Sequence, residues 1–168
     1  MTPPTTPPVP TRAAMEAVVR RYYDACNAAD VDAMAGCFTP DAVHYFPAGA
    51  PQGTFAGAAA IAAGWAGFVA AVGSQWTIDH LTVDEQRAEV VVEWTHWKTR
   101  FGTHLRGAEF CRFAPDGRIA EIRAYYACPA PGQDASYELG DFDYAGRGYP
   151  TEPPTEPGVT GHVRRSGV

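Results

Sequence analysis

The sequence lacks the features of a membrane or nucleic-acid-binding protein. Its 168 residues contain no long uninterrupted apolar run, so we predict no transmembrane helix. Basic residues form no stripe and the net charge is −6, which argues against nucleic acid as a partner. The N-terminus, MTPPTTPPVP, has neither the charged nor the apolar segment of a signal peptide. We therefore expect a cytoplasmic protein that binds neither membrane nor nucleic acid.

Cysteine is scarce and shows no pattern. The four cysteines are Cys26, Cys37, Cys111 and Cys128, without a CxxC spacing or a dense framework. We interpret them as reduced, mostly structural cysteines of a cytosolic protein. No local signature favours a catalytic thiol.

What is present suits one folded domain. Apolar residues make up 46% of the chain, enough for a sizeable core. Residues 1–11 are rich in proline and threonine, and we predict a disordered tail. The domain should occupy residues 12–128. Aromatic residues in 129–150 predict an extension that packs on the domain, whereas 151–168 should be disordered.

Hydrophobic periodicity predicts three helices followed by a run of strands. Apolar spacings of three and four indicate helices over 12–29 and 56–73, with a short helix after Asp30 that ends before Pro40. Runs rich in β-branched and aromatic residues predict strands, namely DAVHYF, QWTIDHLTVD, AEVVVEWTHWKTR, THLRGAEFCRFA and RIAEIRAYYAC. This order predicts an α+β domain with its helices on one face of a strongly bent antiparallel sheet.

Three phrases carry a resemblance to a known family: YYDACNAADVDAMAGCFTPDAVHYF, VVVEWTHW and RGAEFCRFAPDGRIAEIRAYYA. Over roughly residues 15–128 the chain resembles the SnoaL-like family of the nuclear transport factor 2-like superfamily. The resemblance implies a cone-shaped roll, in which the sheet wraps around the long N-terminal helix, with two further helices and a pocket at one end. The superfamily includes polyketide cyclases, ketosteroid isomerases, limonene-type epoxide hydrolases, dehydratases and non-enzymes, so fold alone does not set activity.

Strand alternation predicts which side chains enter the pocket. A hairpin centred on Phe101-Gly102 would pair Trp94 with Glu109 and His96 with Gly107, and paired residues share a face. His96 and Glu109 would then be diagonal neighbours, with Cβ atoms about 7–8 Å apart and Gly107 leaving room beside the imidazole. The opposite, outer face would carry Thr95, Trp97, His104, Arg106, Phe110 and Arg112.

The predicted pocket is aromatic with a few polar groups. We take Glu109, His96 and His44 as candidate catalytic residues; the resemblance adds that the family often has an acid at the Glu109 position and takes a pocket residue from the strand of His44. The candidate substrate-binding residues are Tyr23, Phe46, Trp65, Phe68, Trp94, Cys111, Ile122 and Tyr126. The alternatives are structurally hydrogen-bonded histidines and an ion pair of Glu109 with Arg106 or Arg123.

A glutamate and a histidine in an apolar cleft can divide acid and base roles near neutral pH. We therefore expect a cofactor-free enzyme that acts on a small hydrophobic, carbonyl-bearing molecule by cyclisation, isomerisation or dehydration. One alternative is a non-catalytic binding or assembly protein. Another is a metal site in which two histidines and a carboxylate form a facial triad, although no metal-binding spacing supports it.

The resemblance also shows departures from two relatives. Limonene-type epoxide hydrolases use an Arg-x-Asp pair and a further Asp, and those places correspond here to Trp94, His96 and Ala124. The tyrosine and protonated aspartate of ketosteroid isomerases have no clear counterpart either. A hydrolase with a changed site remains an alternative.

Aromatic residues on the outer face predict self-association. Trp97, Phe110 and Tyr125 would present a large apolar surface to water, so we expect a homodimer. We also expect 129–150 to fold back over the pocket mouth or the partner subunit.

Overall fold

The computed structural model describes residues 9–47, 50–127, 145–146 and 148–153, in three helices and six strands. The predicted tail segments 1–8 and 154–168, Cys128, and most of the predicted extension lie outside the described residues. The elements are α1 (Arg12–Ala28), α2 (Val31–Ala35), β1 (Phe38–Tyr45), β2 (Phe55–Ala56), α3 (Ala58–Val72), β3 (Ser74–Asp84), β4 (Glu89–Lys98), β5 (Thr103–Phe113) and β6 (Ile119–Tyr125).

Helix α1 forms the centre of the domain. The Thr11 side chain caps its first turn by accepting a hydrogen bond from the Ala14 amide at 3.3 Å. Its apolar residues recur every three or four positions, so one face packs into the core against the concave side of the sheet. Asn27 fixes the end of the helix to β3. Its side-chain amide donates a hydrogen bond to the Trp76 carbonyl at 2.9 Å and accepts one from the Trp76 backbone amide at 2.7 Å.

The six strands form one open sheet in the order β2-β1-β6-β5-β4-β3. This confirms the α+β cone, with one difference: β1 and β6 run parallel, whereas every other pair is antiparallel. The sheet is therefore mixed. Between β1 and β6 the chain passes through α3 and reverses direction an even number of times, so β6 runs in the same direction as β1. Pro40 lies within β1, where the ladder is irregular and its missing amide is tolerated.

The β4–β5 hairpin has a different register from the predicted one. Trp94 lies opposite Gly107, His96 opposite Leu105, and Glu109 opposite Val92. The loop spans residues 99–102, and Gly102 adopts its left-handed conformation (φ 63°) at the end of the loop instead of at its centre. The shift is two residues, so every side chain keeps its predicted face while its cross-strand partner changes.

The outer face of the sheet carries a buried polar network. Asp79 lies at a bulge in β3 and accepts hydrogen bonds from Thr95 at 2.5 Å and Thr77 at 2.9 Å. The guanidinium of Arg106 lies 3.6 Å from this carboxylate and donates to the carbonyl of Pro150 at 3.1 Å. Residues near the C-terminus therefore contact the outer face of the sheet.

The aromatic outer surface is smaller than predicted. Trp97 is only 4% exposed in the single chain and packs against His104, with ring centroids 5.1 Å apart. Tyr125 remains 59% exposed and packs edge-on against Phe110. The homodimer stays a prediction, and it now rests on Tyr125 and Phe110.

No helix within the described ranges is both long and apolar enough to cross a membrane.

Candidate functional site

A cavity of about 210 Å³ lies between the helices and the concave face of the sheet. Helices α1 and α3 supply one wall, and the inner faces of β3 to β6 supply the other. The lining is largely aromatic and aliphatic and consists of Tyr22, Tyr23, Cys26, Phe46, Pro51, Gln52, Trp65, Phe68, Val72, Trp76, Trp94, His96, Lys98, Leu105, Glu109, Ala124, Tyr126 and Ala127. The cavity has the character of a small-molecule site.

Trp65 of α3 organises the aromatic wall. Its ring makes an edge contact with Trp76 of β3 at 5.0 Å between centroids and a tilted contact with Phe68 at 5.5 Å. Phe46, after β1, packs against it at 5.8 Å. Such contacts hold large rings in fixed orientations, so the wall is a preorganised apolar surface.

Glu109 is the buried carboxyl group of this cavity. Glu109 is only 4% exposed, and its Oε1 accepts a hydrogen bond from the Tyr23 hydroxyl at 3.0 Å. The Cys111 thiol lies 3.8 Å from the same oxygen. Burial raises the pKa of Glu109 to about 7, and the hydrogen bond from Tyr23 opposes part of this rise. The carboxyl group can therefore both hold and release a proton near neutral pH.

His44 lies beside Glu109 on the side away from the cavity. Its Nε2 is 3.9 Å from Glu109 Oε2, and its ring stacks on Phe46 with centroids 4.1 Å apart. The residue is fully buried, and neither ring nitrogen has a hydrogen-bond partner among the described residues. Burial lowers the pKa of His44 to about 3, so the imidazole is neutral near pH 7. At 3.9 Å the imidazole lies beside the carboxyl group but beyond hydrogen-bond distance.

His96 lies at the other end of the cavity. Its Nε2 is 2.7 Å from the Ser74 hydroxyl, and its ring stacks on Trp76 at 4.6 Å. Burial, together with the nearby ammonium group of Lys98, lowers the pKa of His96 to about 3.

The predicted pairing of His96 with Glu109 is wrong. In the observed register their positions are four residues apart along the ladder, about 13 Å at the usual rise per residue. Gly107 leaves no room beside His96 either. It lies opposite Trp94, and a Cβ there would approach the indole to 2.6 Å.

Most of the other predicted binding residues line the cavity, namely Tyr23, Phe46, Trp65, Phe68, Trp94 and Tyr126. Cys111 and Ile122 face inward but are completely buried in the core and are not in the lining. His44 is likewise behind the lining. Arg106 and Arg123, the alternative partners of Glu109, instead pair with Asp79 and Glu89.

Several lining residues were missed by the sequence analysis. Leu105 and Lys98 share the inward parity of His96, and Trp76 lies opposite His96 in β3, so strand alternation could have identified them. Gln52 could not have been found in this way, because it lies in a loop and reaches the Tyr126 hydroxyl at 3.1 Å.

The facial-triad hypothesis is not supported by the geometry. Glu109 and His44 are neighbours, but His96 lies at the opposite end of the cavity. Within the ranges that the structure describes, no three histidine, cysteine, aspartate or glutamate side chains are grouped so that they could hold a metal ion.

Comparison with known families identifies the domain. The sequence model of the SnoaL-like domain matches residues 19–122. The chain belongs to the SnoaL-like family. The SnoaL-like match runs from within α1 into β6 and so includes Glu109, His44 and Tyr23. No functionally curated protein matches the chain.

Solved structures similar to this SnoaL-like chain share its fold. A protein of unknown function with a cystatin-like fold from Methylobium petroleophilum PM1 is 54% identical, with a TM-score of 0.71, covering 89% of this chain and 99% of that one. A putative polyketide cyclase from Sinorhizobium meliloti is 24% identical, with a TM-score of 0.56, covering 67% and 98%. The epoxide hydrolase/cyclase-like enzyme SalBIII, described in pyran ring formation, is 20% identical, with a TM-score of 0.58, covering 68% and 92%.

Proposed function

We propose that this SnoaL-like protein is a cofactor-free acid/base enzyme that acts on a small hydrophobic, carbonyl-bearing molecule. The observation that carries the proposal concerns Glu109. Its carboxyl group lines an aromatic cavity and has a pKa of about 7. A general acid or base is most effective when its pKa lies near the working pH. Structural carboxylates are usually ionised and paired with a cation, and Glu109 has instead a tyrosine hydroxyl and a neutral histidine beside it.

The geometry suits removal of a proton next to a carbonyl group. Ionised Glu109 takes the proton, the C–H electron pair moves into the enolate, and the Tyr23 hydroxyl keeps the carboxyl group oriented through its 3.0 Å hydrogen bond. Returning the proton to another carbon isomerises the substrate. Attack of the enolate carbon on a second carbonyl closes a ring, and the proton on Glu109 passes to the new alkoxide. In dehydration the same proton goes to the β-hydroxyl group, which leaves as water. The neutral imidazole of His44, 3.9 Å away, brings no positive charge that would hold the carboxyl group ionised.

The size of the cavity limits the substrate. A cavity of about 150 Å³ holds benzene in an engineered protein, so the 210 Å³ here suits a molecule of about eight non-hydrogen atoms. The similarity to a putative polyketide cyclase and to an epoxide hydrolase/cyclase-like enzyme supports a small-molecule, cyclase-type activity.

The test is enzyme-catalysed exchange of a proton next to a carbonyl group. Acetophenone and similar small ketones would be incubated with the protein in D₂O, and deuterium incorporation would be followed by NMR. We expect Glu109→Gln to lower the exchange rate by about 10²–10⁴, the usual scale for a general acid or base. Glu152→Gln makes the same chemical change at an exposed position and should leave the rate unchanged.

The non-catalytic alternative predicts a different result. The preformed aromatic cavity would bind such ketones, with no more deuterium exchange than in buffer. Binding without exchange across the series, or full exchange in Glu109→Gln, would contradict the acid/base proposal.

A further inference from the structure

Lys98 lines the same cavity at the end remote from Glu109. It lies two residues after His96 on β4, so its side chain shares the inner face. Lys98 is half-buried whereas Glu109 is buried, which places Lys98 toward the open end. Among the described lining residues it is the only lysine or arginine.

Lys98 has no ion-pair partner among the described residues. The lining carboxyl group belongs to Glu109, which lies opposite Val92, six residues from Lys98 along β4, so the two backbone positions are about 20 Å apart at the usual rise. Ser74 lies directly opposite Lys98, and its hydroxyl is already hydrogen-bonded to His96. The ammonium group is felt inside the site, because it helps to keep the buried imidazole of His96 neutral.

The surroundings make a bound anion the natural complement of this charge. Between Lys98 and Glu109 the lining is apolar and aromatic, so it offers the ammonium group no counter-ion. The chain as a whole carries a net charge of −6, and a local cation is what would let an anionic ligand enter. One lysine with a single charge suits a monoanion better than a phosphate, which usually has several donors around it.

We propose that Lys98 determines specificity by binding a carboxylate of the substrate, so that the site takes an apolar carboxylic acid. The acid group would lie at the open end against Lys98, the apolar body along the aromatic wall, and the reacting carbon next to Glu109. The inference rests on the proposed function, since it names the substrate class of the same site. It also requires several bonds between the carboxylate and the reacting carbon, because the two polar ends of the cavity are far apart.

The test compares two probes that differ in charge. 3-Phenylpropanoate and 3-phenylpropan-1-ol have the same apolar body, and their dissociation constants can be measured by isothermal titration calorimetry at low and moderate salt. We expect the wild-type protein to bind the carboxylate about ten-fold more tightly, as is typical of a hydrogen bond to a charged group. The preference should weaken as salt is added.

Matched variants assign the preference to Lys98. Lys98→Gln should remove it and Lys98→Arg should retain it, whereas Arg100→Gln, the same charge change at a nearby exposed position, should leave it intact. A wild-type protein without the preference, or Lys98→Gln with it, would overturn the inference.

Glu109→Gln separates this inference from the proposed function, because it should lose proton exchange and still prefer the carboxylate. Suppose that Glu109→Gln loses exchange while the wild type shows no carboxylate preference. That result would support the acid/base proposal and refute this inference.

Discussion

Glu109→Gln should stabilise the protein at alkaline pH while removing its activity. Glutamine has the shape of the glutamate and no charge to bury. Its carbonyl oxygen can accept from Tyr23 as Oε1 does now, and its amide nitrogen would take the place of Oε2, 3.9 Å from the neutral imidazole of His44. The substitution therefore removes the ionisation of Glu109 and keeps its hydrogen bond with Tyr23.

The size of the effect follows from the pKa of Glu109. The unfolded chain loses this proton near the ordinary value of 4.5, whereas the folded protein retains it until about pH 7. Because the folded state binds the proton more tightly, the free energy of unfolding falls as pH rises through this window. At about 1.4 kcal/mol for each pH unit, the loss reaches about 3 kcal/mol above pH 8. Below pH 4.5 it is absent.

Urea denaturation at pH 5 and pH 8.5, followed by tryptophan fluorescence, would measure this loss. The difference in unfolding free energy between Glu109→Gln and wild type should be small at pH 5 and reach about 3 kcal/mol in favour of the variant at pH 8.5. The buried histidines titrate in both proteins, so their contributions largely cancel in the difference. Glu152→Gln should differ from wild type by less than about 0.5 kcal/mol at both pH values. A difference for Glu109→Gln that does not change with pH would refute the reasoning.

Three further predictions concern separate features. Tyr23→Phe removes a hydrogen-bond donor that favours the ionised carboxylate, so the pKa of Glu109 should rise. In the same urea titrations, the free energy of unfolding should then continue to fall up to a higher pH than it does in the wild type. Gly107→Ala should lower the unfolding free energy by about 1–3 kcal/mol, because its methyl group would meet the opposite indole at 2.6 Å. Gly67→Ala, in an exposed helical position with open space, should raise it by about 0.5–1 kcal/mol. In light scattering at micromolar concentration the wild type should be a dimer and Tyr125→Glu a monomer; a monomeric wild type would contradict the predicted homodimer.

Local periodicity was enough to predict the three helices, five of the six strands and the faces of the strands, whereas the two-residue β2 was missed. The apolar spacing of α1 and the alternation in β4 depend only on neighbouring residues, so both are visible in the sequence. The inward direction of Glu109 follows from the same alternation. It survived the two-residue error in register because an even shift leaves parity unchanged.

The partners of these side chains could not be predicted in the same way. The register of β5 depends on how the 99–102 loop closes, and a difference of two residues moved His96 away from Glu109. The parallel pairing of β1 with β6 brings His44 into the sheet, and its imidazole to within 3.9 Å of the Glu109 carboxyl group.

The sequence by itself determined the α+β fold, the aromatic character of the pocket and the inward direction of Glu109, because each depends on local periodicity. Only the tertiary structure decided that Tyr23 and His44 surround this carboxyl group and that His96 and Lys98 lie at the far end of the cavity. The raised pKa of Glu109 likewise results from burial by residues distant in the chain, since desolvation depends on the complete packing around a group.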